Sequence, residues 1–203
     1  MISLTDLAAR IAALPPGRQL VALAGPPAAG KSTIAAKLAK AVNAAGRPTQ
    51  VVPMDGFHLD NATLDAKGLR ARKGAPETFD VDGLAALIQA VREGGDVDFP
   101  TFDRNADATV PHGGTLRAEI ALFEGNYLLL DAPGWRDLQG FWDLTVQIYV
   151  PEAELRRRLM VRWTDLAPDV AAAKTEGNDL PNARTVLHQS VSSDYKLDGT
   201  TSV

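Results

Sequence analysis

The chain contains no cysteine, which excludes disulfides, thiol nucleophiles and thiolate metal sites together. Its three histidines, His58, His112 and His188, are too scattered to suggest a metal centre. Basic charge shows no surplus either: 21 Lys and Arg face 25 Asp and Glu, for a net charge of −4. General attraction to nucleic acid or to an acidic membrane is therefore not expected, and small anionic ligands must be caught by individually placed residues. No apolar run approaches membrane-spanning length, and Asp6 and Arg10 interrupt the apolar N-terminal stretch, so neither a signal peptide nor a membrane partner is expected. These absences predict a cytoplasmic protein, with a homodimer left open. What remains, 203 residues at 45% apolar content without repeats or linkers, suits one domain spanning residues 1–203.

The most informative stretch present is Gly25-Pro-Pro-Ala28-Ala29-Gly30-Lys31-Ser32-Thr33, directly after the apolar run Leu20–Ala24. Its glycines allow the backbone to curl so that successive N–H groups face inward, and a following helix adds its positive dipole end. That is a phosphate-binding P-loop, the Walker A motif, in which Lys31 reaches the β- and γ-phosphates and Ser32 offers a hydroxyl to Mg²⁺. The bland alternative is a Gly-Pro turn joining a strand to a helix. The apolar strand before it and the helical spacing of Ile34, Leu38 and Val42 after it favour the motif.

Further along, Ser3 opens a short amphipathic helix, Gln50–Met54 reads as a second strand delivering Asp55, and Asp80 caps a helix running to Glu93. Residues 56–78 read as polar loop with a short helical piece, and 97–114 as a long functional loop rich in Asp, Pro and Gly. Core strands are expected over Ala118–Phe123 and Leu144–Val150, a helix over Glu152–Trp163, another helix after Pro181, and a polar tail from Asp198. Strands alternating with helices predict a three-layer α/β domain with a mostly parallel sheet flanked by helices.

A P-loop alone does not choose among nucleotide enzymes. The Asn-Lys-x-Asp run that reads guanine is absent, as is a Leu-Ser-Gly-Gly-Gln signature, which leaves phosphoryl transfer to a small molecule. That reaction needs a base, a metal and cations around the moving group. Asp55, in Val51-Val-Pro-Met-Asp55-Gly56-Phe-His58, is the candidate base; the alternative is a turn or capping Asp. Glu124, ending its strand, is a candidate for a metal-bound water or for the substrate, or else a plain strand-end carboxylate. Arg158 and Arg162 share a helix face and could clamp the phosphates from a lid over roughly residues 155–180; the alternative is a solvated basic face. His58, Arg72, Phe102, Asp103 and Arg104 complete the acceptor candidates. The metal candidates are Ser32, Asp55 and Glu124.

Four segments carry a family resemblance: Gly25–Thr33, Met54-Asp-Gly-Phe-His58, Lys73-Gly-Ala-Pro-Glu-Thr-Phe-Asp80 and Phe123-Glu-Gly-Asn126, with Pro100-Thr-Phe-Asp103 resembling an acceptor loop. Together they resemble the P-loop kinase group of uridine kinase, phosphoribulokinase and bacterial pantothenate kinase. Within it, Glu124-Gly-Asn-Tyr-Leu-Leu-Leu130 and Asn178-Asp-Leu-Pro-Asn182 look most like bacterial fructose transport system kinases. The resemblance implies a nucleotide-kinase-like P-loop fold, ATP and Mg²⁺ as cofactors, Asp55 as catalytic base, and Arg158 and Arg162 as lid arginines. It implies transfer of the γ-phosphate to an alcohol group of a sugar-like acceptor. A nucleoside- or pantothenate-type kinase and a nucleotide-binding regulatory protein with little turnover are the alternatives. Asn105-Ala-Asp-Ala-Thr109 departs from the uridine kinase pattern, and Asn178–Asn182 is expected beside the nucleotide base or the lid.

Overall fold

A computed structural model describes residues 1–201. Its elements run in the order α1 (Leu4–Ala12), β1 (Gln19–Ala24), α2 (Lys31–Ala44), β2 (Thr49–Pro53), α3 (Asn61–Ala66), α4 (Val81–Glu93), β3 (Val97–Asp103) and β4 (Ala108–Leu116). There follow β5 (Ile120–Gly125), β6 (Leu144–Tyr149), α5 (Glu152–Arg162), α6 (Pro168–Lys174), α7 (Leu180–Gln189) and β7 (Tyr195–Asp198). Five strands form one parallel sheet in the order β2-β5-β1-β6-β7. β1 and β5 are buried at every residue, which is why both read as unbroken apolar runs rather than alternating ones. Their register, Ala24 opposite Gly125, brings the P-loop and Glu124 to the same carboxyl edge.

Helices cover both faces. α1, α2 and α5 pack with the side of the sheet presenting Val21, Leu23, Leu122 and Val146. The other side, presenting Leu20, Ala22, Ala121 and Phe123, is covered by α4 and by Tyr127, Leu138 and Trp135. The caps read from sequence are formed: Ser3 Oγ accepts the Asp6 N–H at 3.1 Å and Asp80 Oδ1 accepts that of Gly83 at 2.9 Å. The three-layer P-loop architecture expected from the sequence is the one observed, and no helix among the described residues is long and apolar enough to cross a membrane.

Two segments differ from expectation. Residues 97–116 are an antiparallel hairpin rather than a loop, with a register irregularity between Phe99 and Thr101. Pro100, which has no N–H to donate, sits at that break. The hairpin escaped the sequence reading because only Phe99 and Leu116 are buried along it, so no apolar alternation marks its strands. The residues just before the expected polar tail form the edge strand β7, which the sequence reading did not predict and whose Leu197 is 1% exposed and bridges to Ile2. Four residues with one buried side chain carry too little periodicity to be seen.

Candidate active site

The P-loop turns between β1 and α2 through left-handed backbone at Ala28 (φ 62°) and Gly30 (φ 83°). Gly30 gives α2 no capping side chain, and the first turn closes with Ile34 N–H on the Gly30 carbonyl at 2.9 Å. The amides of Lys31, Ser32 and Thr33 therefore have no intrahelical partner and form an anion-binding helix start. Lys31 Nζ rests on the Pro26 carbonyl at 3.0 Å. Burial holds its ammonium below the ordinary lysine range, against the pull of the Glu124 and Asp55 carboxylates. Gly25 and Ala29 stand behind the loop: a Cβ on Gly25 would lie 3.0 Å from Ile148 Cβ, and Ala29 is buried in the core. Pro27, Ala28, Gly30, Lys31, Ser32 and Thr33 line the cleft itself.

Ser32 Oγ donates to Glu124 Oε1 at 2.9 Å. Glu124 is 6% exposed, and burial raises its carboxyl above the ordinary range while Lys31 opposes that rise. Among the described residues no group of three or more His, Cys, Asp or Glu could hold a metal unaided. A hydroxyl and a carboxylate are hard oxygen donors, and together they suit Mg²⁺ when phosphate oxygens and water complete its shell. The residues present thus fit a nucleotide-borne cation. Asp55, the third metal candidate, has its Oδ2 held by Arg104 Nη2 at 2.7 Å.

Asp55 lies two residues beyond β2's end, in a tight 3-10 turn over Met54–Phe57. The hairpin crosses this turn so closely that a Cβ on Gly56 would stand 2.1 Å from the Pro100 carbonyl oxygen. Arg104, from the end of the hairpin's first strand, thereby reaches Asp55. His58 sits between Phe79 and Phe102, with ring centroids 4.1 and 4.7 Å away, and its Nδ1 is 2.8 Å from the Asp55 carbonyl. The neutral imidazole satisfies that carbonyl with Nδ1–H and presents Nε2 as an acceptor.

Burial pushes the His58 imidazole below its ordinary value of 6.5, and the Asp55 carbonyl offsets this only in part. The unfolded chain then binds this proton more readily than the folded protein does. The contribution to stability is complete above the unfolded value and declines as pH falls through that value toward the lower folded one. The melting temperature should fall on acidification from about pH 7 to about pH 5.5, and less steeply in His58→Asn, which keeps a donor near Nδ1 without titrating. An identical slope in the two proteins would locate the acid sensitivity elsewhere.

Of the two lid arginines, Arg162 lines the cleft and makes no hydrogen bond or carboxylate ion pair among the described residues. Burial and the facing Arg104 lower its pKa, while Asp179 and Asp55 pull the other way. Arg158 differs from expectation. Its Nε is bound to Glu154 at 2.7 Å, and its Nη atoms donate to the carbonyls of Ala28 and Gly199 at 3.4 and 2.9 Å. It braces the outer flank of the P-loop against the end of β7 and does not join the cleft lining. Asp103 is also displaced from its expected role: its Oδ1 accepts the Asn105 and Ala106 amides at 2.8 and 3.1 Å, closing the hairpin turn. Arg72, Phe102, Arg104 and Glu124 do line the cleft.

Asn126, Trp163, Asp179 and Asp107, to which the sequence reading gave no individual role, also line the cleft. Lys73, which the sequence groups with Arg70 and Arg72 in a basic patch, holds its Nζ 4.9 Å over the Phe102 ring while paired to Asp107 at 2.7 Å. Asp107 holds a left-handed φ of 49° at the hairpin tip, a signal visible only once the hairpin is known. Asn178 and Asn182 stand against Arg72, and Asp179 between them accepts from Trp163 in the segment expected as the lid.

Comparison with known proteins identifies the family. The profile of the Phosphoribulokinase / Uridine kinase family matches residues 20–162. The uncharacterised protein YggC of Escherichia coli (strain K12) is 39% identical over 180 residues, covering 87% of this chain and 76% of that protein. The "putative uridine kinase C227.14" of Schizosaccharomyces pombe is 34% identical over 194 residues, covering 89% and 83%. The crystal structure of a "putative fructose transport system kinase" from Silicibacter sp. TM1040 superposes with a TM-score of 0.93 at 45% identity, covering 97% of this chain and all of that one. With its P-loop, its parallel sheet and the family match over most of its length, the chain belongs to the phosphoribulokinase and uridine kinase family of P-loop kinases.

Proposed function

We propose that the protein is an ATP- and Mg²⁺-dependent small-molecule kinase that transfers the γ-phosphate to a hydroxyl of a sugar-like, polyhydroxy acceptor. One observation carries the reading. A single cleft of about 1250 Å³ is lined both by the P-loop residues with Lys31 and by Asp55, Arg104, His58 and Phe102. Single-ligand pockets run to roughly 1,000 Å³, so the volume suits two substrates side by side.

In this reading Lys31 and the loop amides hold the β- and γ-phosphates, and Ser32 and Glu124 hold the metal. Bound there, Mg²⁺ would neutralise phosphate charge. Asp55 Oδ1 accepts the proton of the acceptor hydroxyl as its oxygen bonds to the γ-phosphorus and the bond to the ADP oxygen breaks. Arg162, with no ion pair among the described residues, meets the charge on the transferring group. Arg104 orients the Asp55 carboxylate, and Phe79 and Phe102 give the acceptor an apolar wall with His58 Nε2 as a polar contact. The name borne by the Silicibacter protein supports a fructose-type sugar as acceptor.

Purified protein with ATP and Mg²⁺ tested against sugars, sugar derivatives, nucleosides and pantothenate checks the proposal through ADP release. A polyhydroxy acceptor is expected to raise ADP formation by at least about 10²-fold over the rate with water alone. Tight nucleotide binding with no acceptor above that background would favour a nucleotide-binding regulatory protein and overturn the kinase reading.

A further inference from the structure

The segment Asn178–Asn182 joins two parts of the cleft that are distant in the chain. Arg72 Nη1 donates to Asn178 Oδ1 at 3.0 Å, and Asn178 Nδ2 donates in return to the Lys73 carbonyl at 2.9 Å. Arg72 Nη2 reaches Asn182 Oδ1 at 3.5 Å, and Asn182, 2% exposed, donates to Asn178 Oδ1 at 3.3 Å. Among the described residues Arg72 has only a loose carboxylate partner, Glu77 at 3.5 Å from Nε. Two amides, more than that ion pair, therefore set where its guanidinium points. Its planar fork needs fixed acceptors to hold one orientation.

The next residue looks the other way. Asp179 Oδ2 accepts the indole N–H of Trp163 at 2.8 Å, and the Arg162 guanidinium and Lys174 ammonium lie 5.0 and 4.8 Å from that ring. Asn178 and Asp179 thus tie the acceptor wall at residues 72–73 to the cation that closes α5. Both sit in a π-helical turn, Thr175–Asp179, between α6 and α7, whose buried Thr175 Oγ1 has no hydrogen-bond partner among the described residues. An α-helical register would move these two side chains off their present partners, and π turns of this kind recur where local geometry serves a site. The turn keeps its shape despite leaving a buried hydroxyl unpaired, as expected where the side-chain directions matter.

We propose that Asn178 is a positioning residue that couples the two half-sites: through Arg72 and the Lys73 backbone it fixes the acceptor wall only while the Arg162–Trp163 end of the lid is docked. The proposal rests on the kinase reading above. It gives the enzyme a way to assemble its acceptor site after nucleotide has drawn the lid in.

Amide hydrogen exchange on the full chain, with and without the Mg²⁺ salt of the non-hydrolysable β,γ-imido analogue of ATP, tests it. In the wild type the analogue should slow exchange at residues 25–33, the P-loop, and by about tenfold or more at residues 70–78, the acceptor wall. Asn178→Ala should keep the P-loop protection and lose that at 70–78. Arg72→Lys, which keeps the charge but cannot span both asparagines, should do the same and serves if Asn178→Ala misfolds. A merely structural asparagine would lower the melting temperature yet leave the nucleotide response at 70–78 in place, which overturns the proposal. Wild-type residues 70–78 that are equally protected without nucleotide also overturn it. Absence of any P-loop response overturns the kinase reading and the coupling with it, and only that outcome removes both.

Discussion

Asp55→Asn is expected to lower phosphoryl transfer by about 10²–10⁴-fold, the usual contribution of a positioned general base. Asparagine keeps the size of the side chain and can still accept from Arg104, but its amide takes no proton from an acceptor hydroxyl. Nucleotide affinity should change little, because Lys31, Ser32 and the P-loop amides are untouched. Stability should also hold: the Arg104–Asp55 pair is 62% and 31% exposed, and pairs so placed contribute at most about 1 kcal/mol. Acceptor-dependent ADP release, nucleotide titration and thermal melting of the same preparation separate these effects. An Asp55→Asn protein with wild-type turnover would remove Asp55 from the base role while leaving the P-loop assignment intact.

Gly56→Ala should act on fold and chemistry together. The added Cβ would stand 2.1 Å from the Pro100 oxygen and 2.5 Å from its carbonyl carbon, and both atoms belong to backbone that cannot rotate away. The hairpin must lift off the Met54–Phe57 turn, at a cost toward the upper end of the roughly 1–3 kcal/mol typical of overpacking. Lifting it also carries Arg104 from Asp55, and a misplacement of about 1 Å near reacting groups can lose about 10²-fold in rate. Urea denaturation should show a lower midpoint at unchanged slope, and turnover should fall further than the unfolded fraction explains. Full stability in Gly56→Ala would mean that the hairpin is free to move, and the close packing at Pro100 would then have no role in holding the base.

The donor half of this site was legible in the sequence because its requirements are local. A buried strand, a glycine-bounded loop and a helix start fall within residues 20–42, and Glu124 ends another fully buried strand. The acceptor half was legible only as a set of residue types. Asp103 reads like an acceptor ligand because it follows Phe102, but its carboxylate is spent on the hairpin turn, which cannot be foreseen without seeing the hairpin. Arg158 and Arg162 share a helix face by spacing alone, yet one lies against Ala28 and Gly199 and the other opens on the cleft. Four residues along a helix advance the chain by about 6 Å, enough to separate a brace from a ligand contact. The pairing of Trp163 with Asp179 went unread because it spans 16 residues and a π turn that no periodicity announces.

The sheet order separates what this enzyme must keep from what it can change. P-loop and Glu124 hang from β1 and β5, the two strands buried from end to end, so alteration there disturbs the core. Asp55, His58, Arg72, Lys73, Phe102 and Arg104 all come from the single excursion of chain between β2 and β5, much of it outside the main sheet. That excursion is an exchangeable cassette. Its loops and hairpin can be rewritten by insertion or substitution with little effect on the parallel strands, so relatives can keep one phosphate-binding half while the residues facing it from this excursion diverge.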